Sequence, residues 1–259
     1  MQGKWFFTAD CHFGHANIIK YCRRPFLTKD EMQICDLIIK GSIPANELKI
    51  SSSTVDLMDE TIIRNINSVV GKNDNLVVVG DFTCDGSRKE VKDYHDRIKC
   101  QNIYLVCGNH DDRKECDGVF KAVYENYLFK INGQKIFASH YPARSWNKAN
   151  QGSWMIYGHV HNALYNEDHG LLSNYERKIY DEGFNSVLKR YGIKDENITK
   201  ELLAVVQSTK GIDLTLDVGV DHVRENIPFG TPWSMEEIRN YMQSKMTNWS
   251  ARKLMYKML

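Results

Sequence analysis

The residues from Ile103 to Asp112 read I-Y-L-V-C-G-N-H-D-D, and no other stretch restricts the fold as tightly. A short run of branched and aromatic side chains makes a buried strand. The glycine after it lets the backbone turn sharply enough to present Asn109, His110 and Asp111 together. The same grammar recurs along the chain. W-F-F-T-A-D-C-H ends on Asp10 and His12, L-V-V-V-G-D on Asp81, K-I-F-A-S-H on His140, and W-M-I-Y-G-H-V-H on His159 and His161. Five apolar runs therefore each finish on a residue able to bind a metal.

A chain of 259 residues suits a single domain carrying insertions, and is long enough to bury a substantial core. Its 42% hydrophobic and 26% charged residues are ordinary globular usage, which excludes disorder and collagen-like structure. A formal charge of +1 argues against a broad surface for nucleic acid or membrane. The run from Trp5 to Ala9 is too short for a secretory leader, and no apolar run is long enough to cross a bilayer. Seven scattered cysteines, odd in number and without a C-x-x-C pair, fit reduced thiols, so a cytoplasmic location is expected. Cys11 and Cys107 lie beside candidate ligands but are expected to be small buried hydrophobes.

Taken in order, the first strand and its Asp10-Cys11-His12 turn lead into a helix that Arg23, Arg24 and Pro25 end. Gly41 to Ser53, with a proline and a serine triplet and no period, reads as an insertion loop. Met58, Ile62, Ile66 and Val69 mark one face of a helix closed by Gly71. Gly86 to Lys99 reads as a surface helix returning to the Ile103 strand, and such alternation implies parallel pairing. Gly118 to Phe129 is amphipathic, and Asn132-Gly133 is a hairpin turn into Lys135 to Ser139. Strands then follow more directly, so the second half of the sheet system is expected to be antiparallel or mixed. From Asn162 to Gly211 the pattern is helical, with a capping-box start at Ser173 and Glu176, and such an insertion suits a lid. Leu214 to Val218 reads as the last strand, and Ser234 caps a final helix.

If the strand ends converge, Asp10, His12, Asp81, Asn109, His140, His159 and His161 offer imidazoles, carboxylates and one amide oxygen. That mixture suits borderline divalent ions: Mn, Fe, Zn, Co or Ni. Seven ligands are too many for one tetrahedral ion and about right for two that share a carboxylate. Each motif taken singly is weak, since a lone histidine is more often structural. All five in order, each directly after an apolar run, are not.

In this order the motifs resemble the calcineurin-like metallophosphoesterases, whose pattern is D-x-H, G-D, G-N-H-[DE], H and G-H-x-H. The opening D-C-H-F-G-H-A-N-I-I is similar to a small bacterial and phage branch of that family. The resemblance implies an α/β fold, a four-layer α-β-β-α sandwich of two mixed sheets, with one domain over residues 1–259 and insertions at 41–53 and 162–211. It implies a two-metal phosphoesterase: Asp10, His12, Asp81 and His161 on one divalent ion, and Asp81, Asn109, His140 and His159 on the other. Manganese stands first among the candidate ions. His110 would protonate the leaving oxygen and Asp111 would orient it, while His15 and Arg113 are the candidates for substrate phosphate. The nucleophile would be a hydroxide bridging the two ions, and the partner a small phosphate ester, nucleotide-derived, with no membrane. A phosphodiesterase is expected first, a DNA or RNA nuclease or a phosphomonoesterase next, and a non-catalytic interaction module last, because every ligand position is filled.

Overall fold

The computed structural model describes residues 3–143, 145–162 and 214–245. Its contacts divide the chain into two units. The first comprises residues 1–161 and 216–235, and the second comprises 162–215 and 236–259.

The first unit is built on two mixed sheets. In one, β1 (Trp5–Thr8), β2 (Asn75–Val78), β3 (Asn102–Val106) and β4 (Ala122–Tyr124) run parallel in the order β4-β3-β2-β1. A short β9 (Trp233–Ser234) adds antiparallel to β1. In the other, β5 (Asn126–Ile131) and β6 (Gln134–Ser139) form an antiparallel hairpin, β6 pairs in parallel with β7 (Trp154–Tyr157), and β8 (Thr215–Asp217) completes the order β5-β6-β7-β8. The hairpin turn carries Asn132 at φ 49° and Gly133 at φ 83°, the pair of positive values that a two-residue turn matched to strand twist requires.

Period-two alternation decides which way each strand faces. Phe6, Leu76, Val78, Ile103 and Leu105 join one buried cluster with Ile19, Met58, Ile62, Ile66 and Val91 from the helices. Their neighbours Trp5, Phe7 and Tyr104 turn to the other side, where their rings meet Phe129 of β5. Helices, sheet and second sheet are thus three stacked layers with side chains interlocked at each junction, three of the four layers of the expected α-β-β-α sandwich.

The α-helices of the first unit, among the described residues, include α1 (Ala16–Tyr21), α2 (Lys29–Ile39), α3 (Ser52–Val69), α4 (Arg88–Arg97) and the single turn α5 (Arg113–Cys116). Helix α3 forms because Ser51 accepts the Thr54 N–H at its start while Met58, Ile62 and Ile66 line one buried face. Truncating Ile62 to alanine would cost about 2–5 kcal/mol by the usual cavity cost. Val70 rather than Val69 continues that face inward.

Three expectations need correction. The insertion loop expected over 41–53 is shorter. Ser52 and Ser53 are the first turn of α3, and a 3-10 turn, Ala45–Glu47, interrupts the rest. The serine triplet is a helix start, not loop filler. Helix α2, which the sequence reading passed over, has a full capping box in Thr28 and Glu31, and Glu31 also accepts the Ser51 N–H and so ties the loop back. The amphipathic stretch from Gly118 to Phe129 resolves into β4 and the start of β5, and β8 is followed by β9. The helical insertion expected over 162–211, with its capping box, falls almost wholly outside the described residues. In the second unit residues 236–245 are helical. Among the described residues no helix is long and apolar enough to cross a membrane.

Candidate metal centre

Parallel strands of one sheet deliver their C-terminal ends to one edge. Because β3, β2 and β1 are neighbours, the turns after them set Asn109, Asp81 and Asp10 side by side. The parallel pair β6 and β7 brings His140 and His159 in from the second sheet. Backbone hydrogen bonds continue the β1–β2 ladder into these turns: Asp10 N–H to the Gly80 carbonyl at 3.0 Å, His12 to Asp81 at 2.9 Å and Phe13 to Phe82 at 3.0 Å. All seven candidate ligands belong to the first unit.

Asp10 (φ 56°), His12 (51°), Asp81 (52°), His159 (71°) and His161 (47°) all take left-handed backbone. Such non-glycine residues cost about 1–3 kcal/mol each and cluster where function over-determines the chain. His159 and His161 therefore sit on a turn after β7. Two glycines allow the close approach: a Cβ on Gly80 would lie 2.1 Å from His140 Nδ1, and one on Gly108 would lie 2.2 Å from Asp81 Oδ1.

Asp10, Asp81, His140 and His161 each commit one polar atom to the protein and keep the other for the cluster. Asp10 Oδ1 accepts the His159 N–H at 2.8 Å, and Asp81 Oδ1 accepts the His110 N–H at 3.0 Å. His140 Nδ1 donates to the Val79 carbonyl at 3.0 Å, which leaves Nε2 facing inward. His161 Nδ1 donates to Asp221 at 2.7 Å, the carboxylate–histidine pairing that orients metal-binding imidazoles. The inward atoms converge. Asp81 Oδ2 is 3.3 Å from His12 Nε2 and 3.3 Å from His140 Nε2, and Asn109 Oδ1 is 3.2 Å from His140 Nε2. Two groups, Asp10–His12–His161 and Asp81–His140–His159, each hold ligand atoms within 4.8 Å of one another.

The electrostatics fit a cation there. Asp10 Oδ2 and both ring nitrogens of His12 are buried without a hydrogen-bond partner; the His12–Asp81 contact is close but misaligned. Burial, then Asp217 nearby, pushes the Asp10 carboxyl up to about 7, against the pull of His161 and His140. Burial drives His12 down to about 3 despite Asp81 beside it. Burial would raise Asp81 too, but the hydrogen bond and charge of His140, the His110 N–H and His12 hold it down to about 2. Asp81 therefore pairs as an anion with His140, whose own pKa is raised by that partner against its burial. Burial disfavours the His161 imidazolium, yet Asp221 and then Cys22 push it up to about 10. Lone pairs converging on a buried space, with an unpartnered carboxylate oxygen among them, are what a divalent cation resolves.

The model of the calcineurin-like phosphoesterase superfamily domain matches residues 58–175, a span that holds Asp81, the Asn109-His110-Asp111 turn, His140, His159 and His161. An uncharacterized protein of Methanocaldococcus jannaschii is 31% identical over 160 residues, 61% of this chain and 69% of its own length. This chain belongs to the calcineurin-like phosphoesterase superfamily. The crystal structure of a protein of unknown function from Aquifex aeolicus matches at a TM-score of 0.51 and 21% identity, over 92% of this chain and 99% of that one, a likeness of fold alone.

Membership in the phosphoesterase superfamily gives the other predicted residues a frame. The His110 ring lies 5.3 Å from that of His12, and His15 lies 5.4 Å from His12 and 6.2 Å from His110. Two expectations fail on geometry. Asp111 does not reach the His110 ring; its carboxylate accepts the N–H groups of Asp81, Phe82 and Gly108 at 2.8, 3.0 and 2.9 Å and so staples the two turns together. The carboxylate beside His110 Nδ1 is Asp85, at 3.4 Å. Arg113 is half-exposed and engaged with Glu125 at 3.1 Å and Asp117 at 3.8 Å within and after α5, so it is taken up by surface ion pairs instead of a substrate.

Three residues at the site had no role in the sequence reading. Asp221 orients His161. Arg24, read there as a helix end, is 1% exposed and donates to Asp221 and to the carbonyls of Asp10 and Cys11. Asp59 of α3 accepts the Gly14 N–H at 3.0 Å and the Tyr94 hydroxyl at 2.8 Å, fixing the turn that carries His15. A hint existed in D-V-G-V-D, where two carboxylates flank a glycine after an apolar run. Cys11 is fully buried as expected, and Cys107 is half-buried.

Proposed function

We propose that the chain is a phosphodiesterase that hydrolyses a small, nucleotide-type phosphate ester at this cluster. The observation that carries the reading is Asp81 Oδ2, equidistant at 3.3 Å from His12 Nε2 and His140 Nε2. One oxygen between two imidazoles, each backed by its own donors, suits two cations better than one. Asp10, His12, Asp81 and His161 would hold one divalent ion, and Asp81, Asn109, His140 and His159 the other, with manganese proposed ahead of iron, zinc, nickel or cobalt. When bound, such a pair supplies Lewis acidity: it polarises phosphoryl oxygens, lowers the pKa of water and offsets charge that builds up on phosphate.

The chain's own residues supply the rest. Asp221 and the Val79 carbonyl fix the ring orientations of His161 and His140, so both present Nε2. His110, about one-third exposed, delivers a proton to the departing oxygen and recovers one from solvent, with Asp85 beside its Nδ1. Burial, and then His110 nearby, keep His15 below the usual imidazole range, so it offers a neutral N–H to a phosphate oxygen. A positioned acid matters most when the leaving group is a basic alkoxide, and a diester is put ahead of a monoester by analogy with the small members of the family. A net charge of +1 supplies no broad field for a nucleic-acid backbone, which favours a small substrate.

The test is turnover of bis-nitrophenyl phosphate against mono-nitrophenyl phosphate, with each divalent ion added singly after chelation. Manganese-dependent turnover that favours the diester is expected. A monoester preference overturns the substrate class, and no turnover with any of the ions overturns the enzyme.

A further inference from the structure

Next to the seven-residue cluster lies a second convergence of donor atoms with different chemistry. Cys84 Sγ is 3.8 Å from His110 Nδ1 and 4.0 Å from Asp85 Oδ2, and those two atoms are 3.4 Å apart. Hydrogen bonding does not account for the triangle, because every side is at or beyond the long limit for the atoms involved. The backbone brings the three together: the Asp85 N–H donates to the His110 carbonyl at 3.1 Å, and Asp85 sits at φ 52°.

A tetrahedral ion with bonds of about 2.3 Å to sulfur and about 2.0–2.1 Å to nitrogen and oxygen sets edges of about 3.3–3.6 Å between its ligands. The observed edges exceed these by a few tenths of an ångström. Half-exposed side chains close such a gap by small rotations. Asp85 is 74% exposed and His110 31%, so an ion in solution reaches them. The main cluster offers only nitrogen and oxygen, whereas a thiol here selects softer ions.

We propose that Cys84, Asp85 and His110 form a third cation site, selective for thiophilic ions of the Zn2+ and Cd2+ class. Binding releases the Cys84 thiol proton to solvent and leaves a fourth position open to water. An ion on His110 Nδ1 also withdraws that ring from acid catalysis, so excess Zn2+ inhibits hydrolysis. That consequence rests on the role proposed for His110; the binding does not.

The experiment titrates the full chain, preloaded with Mn2+, with Cd2+ and follows the ultraviolet thiolate-to-cadmium charge-transfer band. The wild type should show a band saturating at one equivalent. Cys84→Ser should lack it, and Asp85→Asn should need at least about tenfold more Cd2+, the lower end of what even an outer partner of a metal site costs. Cys35→Ser should keep the band, since Cys35 is buried in α2 and belongs to no group of metal-competent side chains among the described residues. No band in the wild type, or an unchanged band in Cys84→Ser, overturns the site. Should Cys84→Ser fail to fold, alkylation of the wild-type protein decides: Cd2+ must protect Cys84, read by peptide mass, and full alkylation at saturating Cd2+ refutes the site. These readouts do not depend on turnover, so they stand even if the phosphodiesterase reading fails.

Discussion

Arg24 grips Asp221 through two parallel N–H donors, 2.9 Å from Nε to Oδ1 and 2.8 Å from Nη2 to Oδ2, with both side chains buried. The same guanidinium holds the Asp10 and Cys11 carbonyls, and Asp221 in turn holds His161. One buried cation thus couples the first site turn, at Asp10 and Cys11, to the candidate ligand His161. Burial would raise the Asp221 carboxyl, but Arg24 and then His161 keep it below its usual range. Arg24→Met leaves that carboxylate buried without its main partner and should cost about 3–5 kcal/mol in urea unfolding. Asp221→Asn should weaken metal binding about 10–100-fold by competition with a chelator and, because it leaves the buried Arg24 guanidinium without its anion, should destabilise the fold as well. Equal metal affinity in Asp221→Asn and wild type would remove Asp221 from the centre.

His110→Ala should slow hydrolysis of alkyl phosphodiesters by about 10²–10⁴-fold, the usual worth of a positioned acid. Nitrophenyl esters, whose leaving groups need no proton, should lose far less. Parallel losses on both substrates would assign His110 a structural task.

Gly108→Ala sets a methyl carbon 2.2 Å from Asp81 Oδ1 and 2.6 Å from the Asp81 amide nitrogen. The Asp81 turn cannot give way without losing its bonds to Asp111 and His110. The variant should be destabilised by about 1–3 kcal/mol or more from overpacking and should bind less metal. Gly133→Ala makes a control for backbone strain without overpacking, because its φ of 83° disfavours any side chain while nothing lies within 4 Å of its would-be Cβ.

Burial pushes the Asp59 carboxyl up to about 6, against the hydrogen bonds from Tyr94 and Gly14. Between its unfolded value of 3.8 and about 6, the folded state binds the extra proton. The contribution is therefore complete below pH 3.8 and lost as pH rises through 6. At about 1.4 kcal/mol per unit, the swing is on the order of 3 kcal/mol. Asp59→Asn should flatten that part of the stability profile, and the difference between wild-type and variant unfolding free energies from pH 4 to 7 measures it. A constant difference would mean that Asp59 titrates normally.

The strands that carry the candidate ligands were legible because each is an apolar run closed by a polar turn, and β1, β2, β3, β6 and β7 all obey that rule. Their gathering at one edge followed from parallel order, which the intervening helices α3 and α4 imply. What stayed hidden was of two kinds. Strands β4 and β9 are two or three residues long and take their conformation from neighbours, so no period marks them. Asp111 acts on backbone amides, which leave no sequence trace, and Arg24 meets Asp221 across 197 positions. Arg113 misled because charge near a motif says nothing about which carboxylate it finds first.

The two-ion centre is tested most directly by the metal content of Asp81→Asn after exposure to Mn2+ and gel filtration. Asp81 stands between both ligand sets, so the wild type should retain about two ions per chain and the variant less than one, the number expected when a shared carboxylate is lost. Two ions per chain in a folded Asp81→Asn variant would contradict a centre built around that oxygen.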